Sequence, residues 1–108
     1  YCFGPSCYIK MFKSDGEEAE AGEILGKIQG PAYIILSYER VMLNLVQRLC
    51  GIASVSRKYV QLAHAYDVKI LDTRKTTPGL RLFEKYAITV GGAYNHRMNL
   101  SDGILEDA

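Results

Sequence analysis

The apolar period of the chain changes along its length, and each change marks an element. Residues 8–12 (YIKMF) are β-prone, Asp15 and Gly16 read as a turn, and residues 23–28 bring Ile24, Leu25 and Ile28 into a second strand. The first third therefore predicts small antiparallel β structure. From Ser37 onward Val41, Leu45, Leu49 and Ile52 recur at helical spacing, with Ser37 available as N-cap and Glu39 well placed against the helix dipole. Gly51 is a weak point, after which Ser54 can cap an amphipathic run that puts Val55, Tyr59, Leu62, Ala63 and Tyr66 on one face. Two consecutive helices are expected.

Residues 68–73 (VKILDT) form a short apolar run between helical segments, which is how a buried parallel strand of an α/β fold reads. Thr77 can cap the next helix and Pro78 suits its first position. Leu80, Phe83, Ala87 and Val90 then form a stripe that stops at Gly91 and Gly92, predicting a helix over residues 78–89. Residues 103–105 look like the start of the next parallel strand. One complete βα unit and part of another cannot close a sheet or barrel.

Composition narrows the classes. The 108 residues, 48% hydrophobic and 23% charged, suit an ordinary folded domain, and the net charge of +1 gives no broad attraction to nucleic acid or anionic membrane. Any bound anion must be held by a local cluster. Apolar stretches such as residues 32–36 are far below the roughly 20 residues of a bilayer span. Cys2, Cys7 and Cys50 lack the paired spacing of a zinc site and read as reduced thiols. With no basic start and apolar core of a secretory signal, the expected location is cytoplasmic. The chain opens on Tyr1 and stops at Ala108 just after an apolar run, which reads as a segment of a longer protein.

The chemistry sits where α/β folds bind ligands, just past a strand's carboxyl end. There the chain reads Asp72-Thr73-Arg74-Lys75-Thr76-Thr77, two adjacent cations among hydroxyls. Arginine offers a planar fork to a carboxylate or phosphate, and lysine a compact charge to phosphate oxygens. This is an anion site in outline, although a solvated loop with ordinary helix capping has the same composition. A second cluster, Asn95-His96-Arg97, follows the glycine stop, and it too is compatible with a plain loop. Arg40 reads as a first-turn cation, where its charge opposes the helix dipole and calls for a bound or partner carboxylate, or for solvent.

Four ordered stretches, DGEEAEAGEILGKIQGPA, ERVMLNLVQRLCGIAS, ILDTRKTTPGLRLFEKYA and VGGAYNHRMNLSDGIL, closely resemble quinolinate phosphoribosyltransferases. The resemblance implies an α/β (α+β) fold: an N-terminal α/β sandwich with linking helices over residues 1–67, then the first βα units of an open α/β barrel over residues 68–108, truncated at the C-terminus. It implies transfer of the phosphoribosyl group of phosphoribosyl pyrophosphate to quinolinate with magnesium, giving nicotinate mononucleotide, pyrophosphate and carbon dioxide in NAD biosynthesis. By the same resemblance Arg74 and Arg97 bind substrate carboxylates, Thr73 and His96 line the pocket, and Lys75 faces phosphoribosyl pyrophosphate. Arg40 reaches in from the neighbouring subunit of a homodimer, which can assemble further.

Two departures stand out. Cys50 replaces the serine usual before GIA, and after LSDGIL the family continues through strands carrying another lysine, the acidic residues for magnesium and a phosphate loop, where this chain ends with Glu106, Asp107 and Ala108. No catalytic residue or metal ligand is assigned within these residues, and the isolated chain is expected to be inactive. Three other readings remain. One is a same-fold phosphoribosyltransferase with another substrate, such as a molybdenum-locus homologue or a nicotinate-specific enzyme. Another is a biotinyl- or lipoyl-type carrier hairpin, with Lys10-Met11 as its faint modification site. The last is a non-enzymatic scaffold.

Overall fold

The computed structural model describes residues 3–103 and contains both strands and helices in the order β1 (Tyr8–Met11), β2 (Gly26–Gln29), α1 (Ala32–Ala63), a 3-10 turn (His64–Tyr66) and α2 (Arg81–Val90). The chain divides into two compact units, Tyr1–Arg48 and Leu49–Ala108. Cys2, Ile104, Leu105 and the terminal Glu106, Asp107 and Ala108 lie outside the described residues. No described helix is long and apolar enough to cross a membrane.

In the first unit β1 and β2 pair antiparallel, with Tyr8 opposite Gln29 and Met11 opposite Gly26. The amide of Phe12 donates to the Leu25 carbonyl at 2.9 Å, which extends the ladder one step toward the connection. The second strand is shorter and later than residues 23–28, because residues 13–25 form a linked loop. Within it Lys13 Nζ meets Glu23 Oε1 at 2.7 Å and donates to the Glu18 carbonyl, while Glu20 N donates to the other Glu23 oxygen. Lys10 lies within β1 opposite Lys27, not at a hairpin tip, so the carrier reading loses its modification site. Phe3 is buried and meets the Tyr38 ring edge-on, with centroids 6.2 Å apart.

The hydrogen bond and charge of Lys13 hold the Glu23 carboxyl below the usual carboxylate range, and Glu23 raises the Lys13 ammonium. Glu23 thus supports the loop above its unfolded pKa of about 4.5 and loses that support as pH falls through its lower folded pKa. Lys13 does so below about 10.5 and loses it as pH rises through its higher folded value. Both groups are exposed, so the expected effect is small. Protection of the amides of residues 13–25, taken relative to intrinsic exchange at each pH, should fall slightly as Glu23 becomes protonated, and Glu23→Gln should abolish that acid-side change.

Helix α1 starts at Ala32, five residues before the expected Ser37, and runs unbroken through Gly51. Pro31 immediately precedes it, and its carbonyl accepts from the amides of Ile34 and Ile35. Ser37 is therefore not an N-cap: its hydroxyl donates back to the Tyr33 carbonyl at 2.7 Å, the bond a serine makes inside a helix. Arg40, eight residues past the start, is outside the first turn, which removes its expected conflict with the dipole.

In the second unit the face of α1 that is shielded runs through Ala53, Ser56, Arg57, Val60 and Ala63, whereas Val55, Tyr59 and Leu62 are exposed. The spacing is helical and Ala63 is buried as expected, but the rest of the packed stripe is the neighbouring one, with Ala53 and Ser56 at the contact. Gly91, at the end of α2, selects it. A Cβ there would lie 2.5 Å from the Ala53 carbonyl oxygen and 2.6 Å from Ser56 Cβ, so only glycine admits this approach. Helix α2 starts at Arg81, three residues later than expected, because Gly79 at φ +78° turns the backbone left-handed. Its end matches expectation within a residue. Gly92 N donates to Thr89 O and Ala93 N to Ile88 O, with Gly92 at φ +92°, a Schellman stop.

Residues 68–73 contribute one parallel bridge, Leu71 to Tyr94, flanked by Asp72 N to Tyr94 O at 3.0 Å and Tyr94 N to Ile70 O at 2.9 Å. A parallel partner is found at Tyr94, while the expected strand start at residues 103–105 lies, but for Gly103, outside the described residues. Gly103 itself has no regular structure.

Candidate functional site

The bridge from Leu71 to Tyr94 sets the geometry of the site. Parallel pairing puts both carboxyl ends on one side of the sheet, so the loops following them, one with Thr73, Arg74 and Lys75 and the other with His96 and Arg97, leave side by side. Five of the six expected site residues are brought into one region this way. Arg40 belongs to the first unit, on α1, with an exposed guanidinium whose Nε is 3.6 Å from Glu39 Oε1.

Asp72 joins the loops. Its carboxylate is fully buried and accepts two hydrogen bonds from Lys85 Nζ, at 2.8 Å to Oδ1 and 2.7 Å to Oδ2. Oδ1 also accepts from the His96 amide at 2.8 Å. The Asn95 side chain satisfies its surroundings when its nitrogen donates to Asp72 Oδ2 at 2.7 Å and to the Lys85 carbonyl at 3.1 Å. A carboxylate at a strand end is thereby neutralised inside the protein, and the His96 backbone is pinned against it.

A second tie comes from Arg81, one helical turn before Lys85. Its Nε donates to Thr76 Oγ1 at 3.0 Å, and Nη2 and Nη1 reach the carbonyls of Arg74 and Met98, each at 3.4 Å. Glu84, also buried, accepts from the Thr77 amide at 3.1 Å, and the N-cap position of α2 is Leu80, three residues past Thr77. The polar side of α2 is what the fold buries: Glu84, Lys85 and Ala87 are enclosed, while Leu82, Phe83 and Tyr86 are exposed.

The remaining cations stay available. Thr73 Oγ1 accepts from the Lys75 amide at 3.1 Å, forming a tight loop that leaves Lys75 exposed. Arg74 is half-buried, and its Nε is enclosed with no hydrogen-bond partner among the described residues. Arg97 is half-buried and donates from Nη1 to the Gly103 carbonyl at 3.2 Å. A carboxylate placed between these loops would find donors on both sides, and an enclosed Nε lacking an acceptor is the kind of group an anion satisfies.

Asp72 and Asn95 open the two expected clusters but have no role assigned from the sequence, and Lys85 and Arg81 are in neither cluster. Lys85 and Arg81 sit four residues apart on α2, a spacing that puts two cations on one helix face beside the TRK loop, and this was the available signal. No three His, Cys, Asp or Glu side chains gather as a metal site among the described residues, and Asp72 is already engaged by Lys85, Asn95 and His96. The described residues do not make a magnesium site.

Known proteins carry the same arrangement of sequence and fold. The N-terminal domain of quinolinate phosphoribosyl transferase matches residues 1–50, and its C-terminal domain matches residues 52–107. The Bacillus subtilis protein named "probable nicotinate-nucleotide pyrophosphorylase [carboxylating]" is 53% identical over 95 residues, covering 88% of this chain and 33% of the relative. The tobacco (Nicotiana tabacum) mitochondrial quinolinate phosphoribosyltransferase [decarboxylating] 2b is 46% identical over 102 residues, covering 94% and 28%. The crystal structure of NadC from Streptococcus pyogenes superposes with a TM-score of 0.88 at 46% identity over 94% of this chain and 36% of that one. That of the nicotinate-nucleotide pyrophosphorylase from Francisella tularensis gives 0.85 at 41% identity, over 91% and 36%. The chain spans about a third of the length of the relatives it matches. Matched from its first strand through both cation-bearing loops, it belongs to the quinolinate phosphoribosyltransferase family.

Proposed function

We propose that this chain supplies the pyridine-dicarboxylate side of an active site that transfers phosphoribosyl from phosphoribosyl pyrophosphate to quinolinate. The adjacent exit of the Arg74 and Arg97 loops carries this reading. A dicarboxylate leaving water needs several charge-assisted hydrogen bonds, each contributing about 1.5–3 kcal/mol, and two arginines on neighbouring loops can grip two carboxylates where one arginine cannot. The names of the relatives supply the substrate and the decarboxylation.

In this reading Arg74 and Arg97 hold the carboxylates, Thr73 and His96 line the ring, and Lys75 faces the pyrophosphate-bearing sugar. The ring nitrogen's lone pair bonds to the anomeric carbon as the bond to pyrophosphate breaks. The carboxylate beside that nitrogen then leaves as carbon dioxide, its electron pair taking up a proton on the ring. The products are nicotinate mononucleotide, pyrophosphate and carbon dioxide, a step in NAD biosynthesis. Holding both reactants in line contributes about 7–11 kcal/mol in favourable cases, so positioning and charge outweigh covalent catalysis. Magnesium is assigned to residues outside this segment. A cytoplasmic homodimer with Arg40 crossing the interface completes the proposal. A nicotinate-specific or molybdenum-locus phosphoribosyltransferase would share the loops but not the need for two carboxylate grips.

The test uses a full-length chimera in which this chain replaces the matching segment of the Bacillus subtilis relative. By calorimetry, Arg74→Ala or Arg97→Ala should weaken quinolinate about 10- to 100-fold, as loss of one or two charged hydrogen bonds requires, with phosphoribosyl pyrophosphate nearly unaffected. Lys75→Ala should do the reverse. Equal losses of both ligands in all three variants would defeat the division of roles. The 108-residue chain alone should form no nicotinate mononucleotide; turnover at an enzymatic rate would show that it holds a complete site.

A further inference from the structure

Helix α2 directs two cations, the half-buried Arg81 and the buried Lys85, at the two loops. All three guanidinium nitrogens of Arg81 are engaged, by Thr76, Arg74 and Met98, and the Lys85 ammonium is enclosed against Asp72. An enclosed ion pair adds little net stability, because desolvation offsets its attraction and an apolar pair of like volume folds about as well. Its presence here calls for another role. The contacts identify one: Lys85 orients Asp72, Asp72 accepts from the His96 amide and the Asn95 side chain, and Arg81 holds the Arg74 carbonyl and Thr76 hydroxyl.

We propose that Arg81 and Lys85 are positioning residues, α2 serving as a ruler that fixes the separation of Arg74 and Arg97 through contacts with both loops. The Lys85 clamp acts through Asp72, and the Arg81 clamp acts directly on the TRK loop and on the Met98 carbonyl beside Arg97. Substrate selection follows, since two arginines at a fixed spacing favour two carboxylates over one. This consequence rests on the proposed dicarboxylate reading, whereas the clamp is a property of the fold.

The test pairs Lys85→Met with the double variant Asp72→Leu/Lys85→Met, in the 108-residue chain and in the chimera. Lys85→Met leaves Asp72 without its cation and is apt to unfold. The double variant removes both charges together and should fold, while the His96 amide and Asn95 lose their acceptor. Hydrogen exchange of residues 93–99 should accelerate about tenfold or more in the double variant, as expected for a loop losing its anchor, with residues 49–63 unchanged. In the chimera KM for quinolinate should rise roughly 10- to 100-fold, with KM for phosphoribosyl pyrophosphate unchanged and the preference for quinolinate over nicotinate reduced. Unchanged exchange at residues 93–99, equal acceleration throughout the second unit, or failure of the double variant to fold would each overturn the clamp. So would local loosening with an unaltered quinolinate KM. If the unsubstituted chimera prefers nicotinate to quinolinate, the dicarboxylate reading fails, and local loosening in the double variant then supports the clamp without it.

Discussion

Gly91→Ala is expected to cost about 3 kcal/mol, the upper end of the usual range for overpacking, and to lower the melting temperature of the chimera by roughly 6–12 °C. The added methyl would meet the Ala53 carbonyl oxygen at 2.5 Å and the Arg57 amide nitrogen at 3.2 Å, atoms of the α1 backbone that no rotamer change can move aside. Relief requires α2 to withdraw from α1, and the loop with His96 and Arg97 begins just beyond that helix end. Gly92→Ala separates contact from backbone conformation. Its Cβ would have ordinary contact, 3.7 Å from Val60 Cγ1, but the φ of +92° would strain it by about 1–2 kcal/mol. Gly92→Asn should recover part of that loss, because asparagine tolerates left-handed backbone, whereas Gly91→Asn should be at least as damaging as Gly91→Ala. Similar melting temperatures for Gly91→Ala and the parent would refute the close approach.

That contact also explains which parts of the fold were legible in the sequence. Glycines that end helices by conformation announce themselves, and the stop at Gly91 and Gly92 was placed within one residue. A glycine that admits a neighbouring helix leaves no periodic trace, so of the apolar stripe through Val55, Tyr59, Leu62 and Ala63 only Ala63 is buried, and the close contact falls on Ala53 and Ser56. Ser37 misled for a related reason: serine caps helices, but inside one it can bond to the preceding turn, and Pro31 had already marked the start. Gly51 breaks nothing, because a single glycine costs only about 1 kcal/mol within a helix of this length. The position of the cations of the TRK loop was legible from their place after a strand. Asp72 and Lys85 were not, being 13 residues apart in sequence and joined only by tertiary pairing.

Arg40 is expected to complete the site of a neighbouring subunit, and the reason differs from the one its sequence position suggested. With α1 beginning at Ala32 there is no first-turn charge conflict. What supports the reading is exposure: the side chain is 84% accessible, and the nearest carboxylate in the described structure, on adjacent Glu39, is 3.6 Å away, too long for a firm hydrogen bond. A guanidinium held this loosely gains most from an anion presented by another chain, where a planar fork can grip it bidentately. In the chimera Arg40→Ala and Arg74→Ala should each be nearly inactive alone. When they are mixed under conditions that allow subunit exchange, a mixed dimer whose sites take Arg40 in trans has one site with both defects and one with neither. Random exchange at equal amounts should then restore about a quarter of parental activity, since half the dimers are mixed and each contributes one intact site of two. If Arg40 serves its own chain, every site in the mixed dimer keeps one defect and activity stays at the level of the parents of the mixture. Exchange verified by mass spectrometry of differently tagged subunits, with no recovery of turnover, would assign Arg40 to its own subunit and remove the shared site from the proposal.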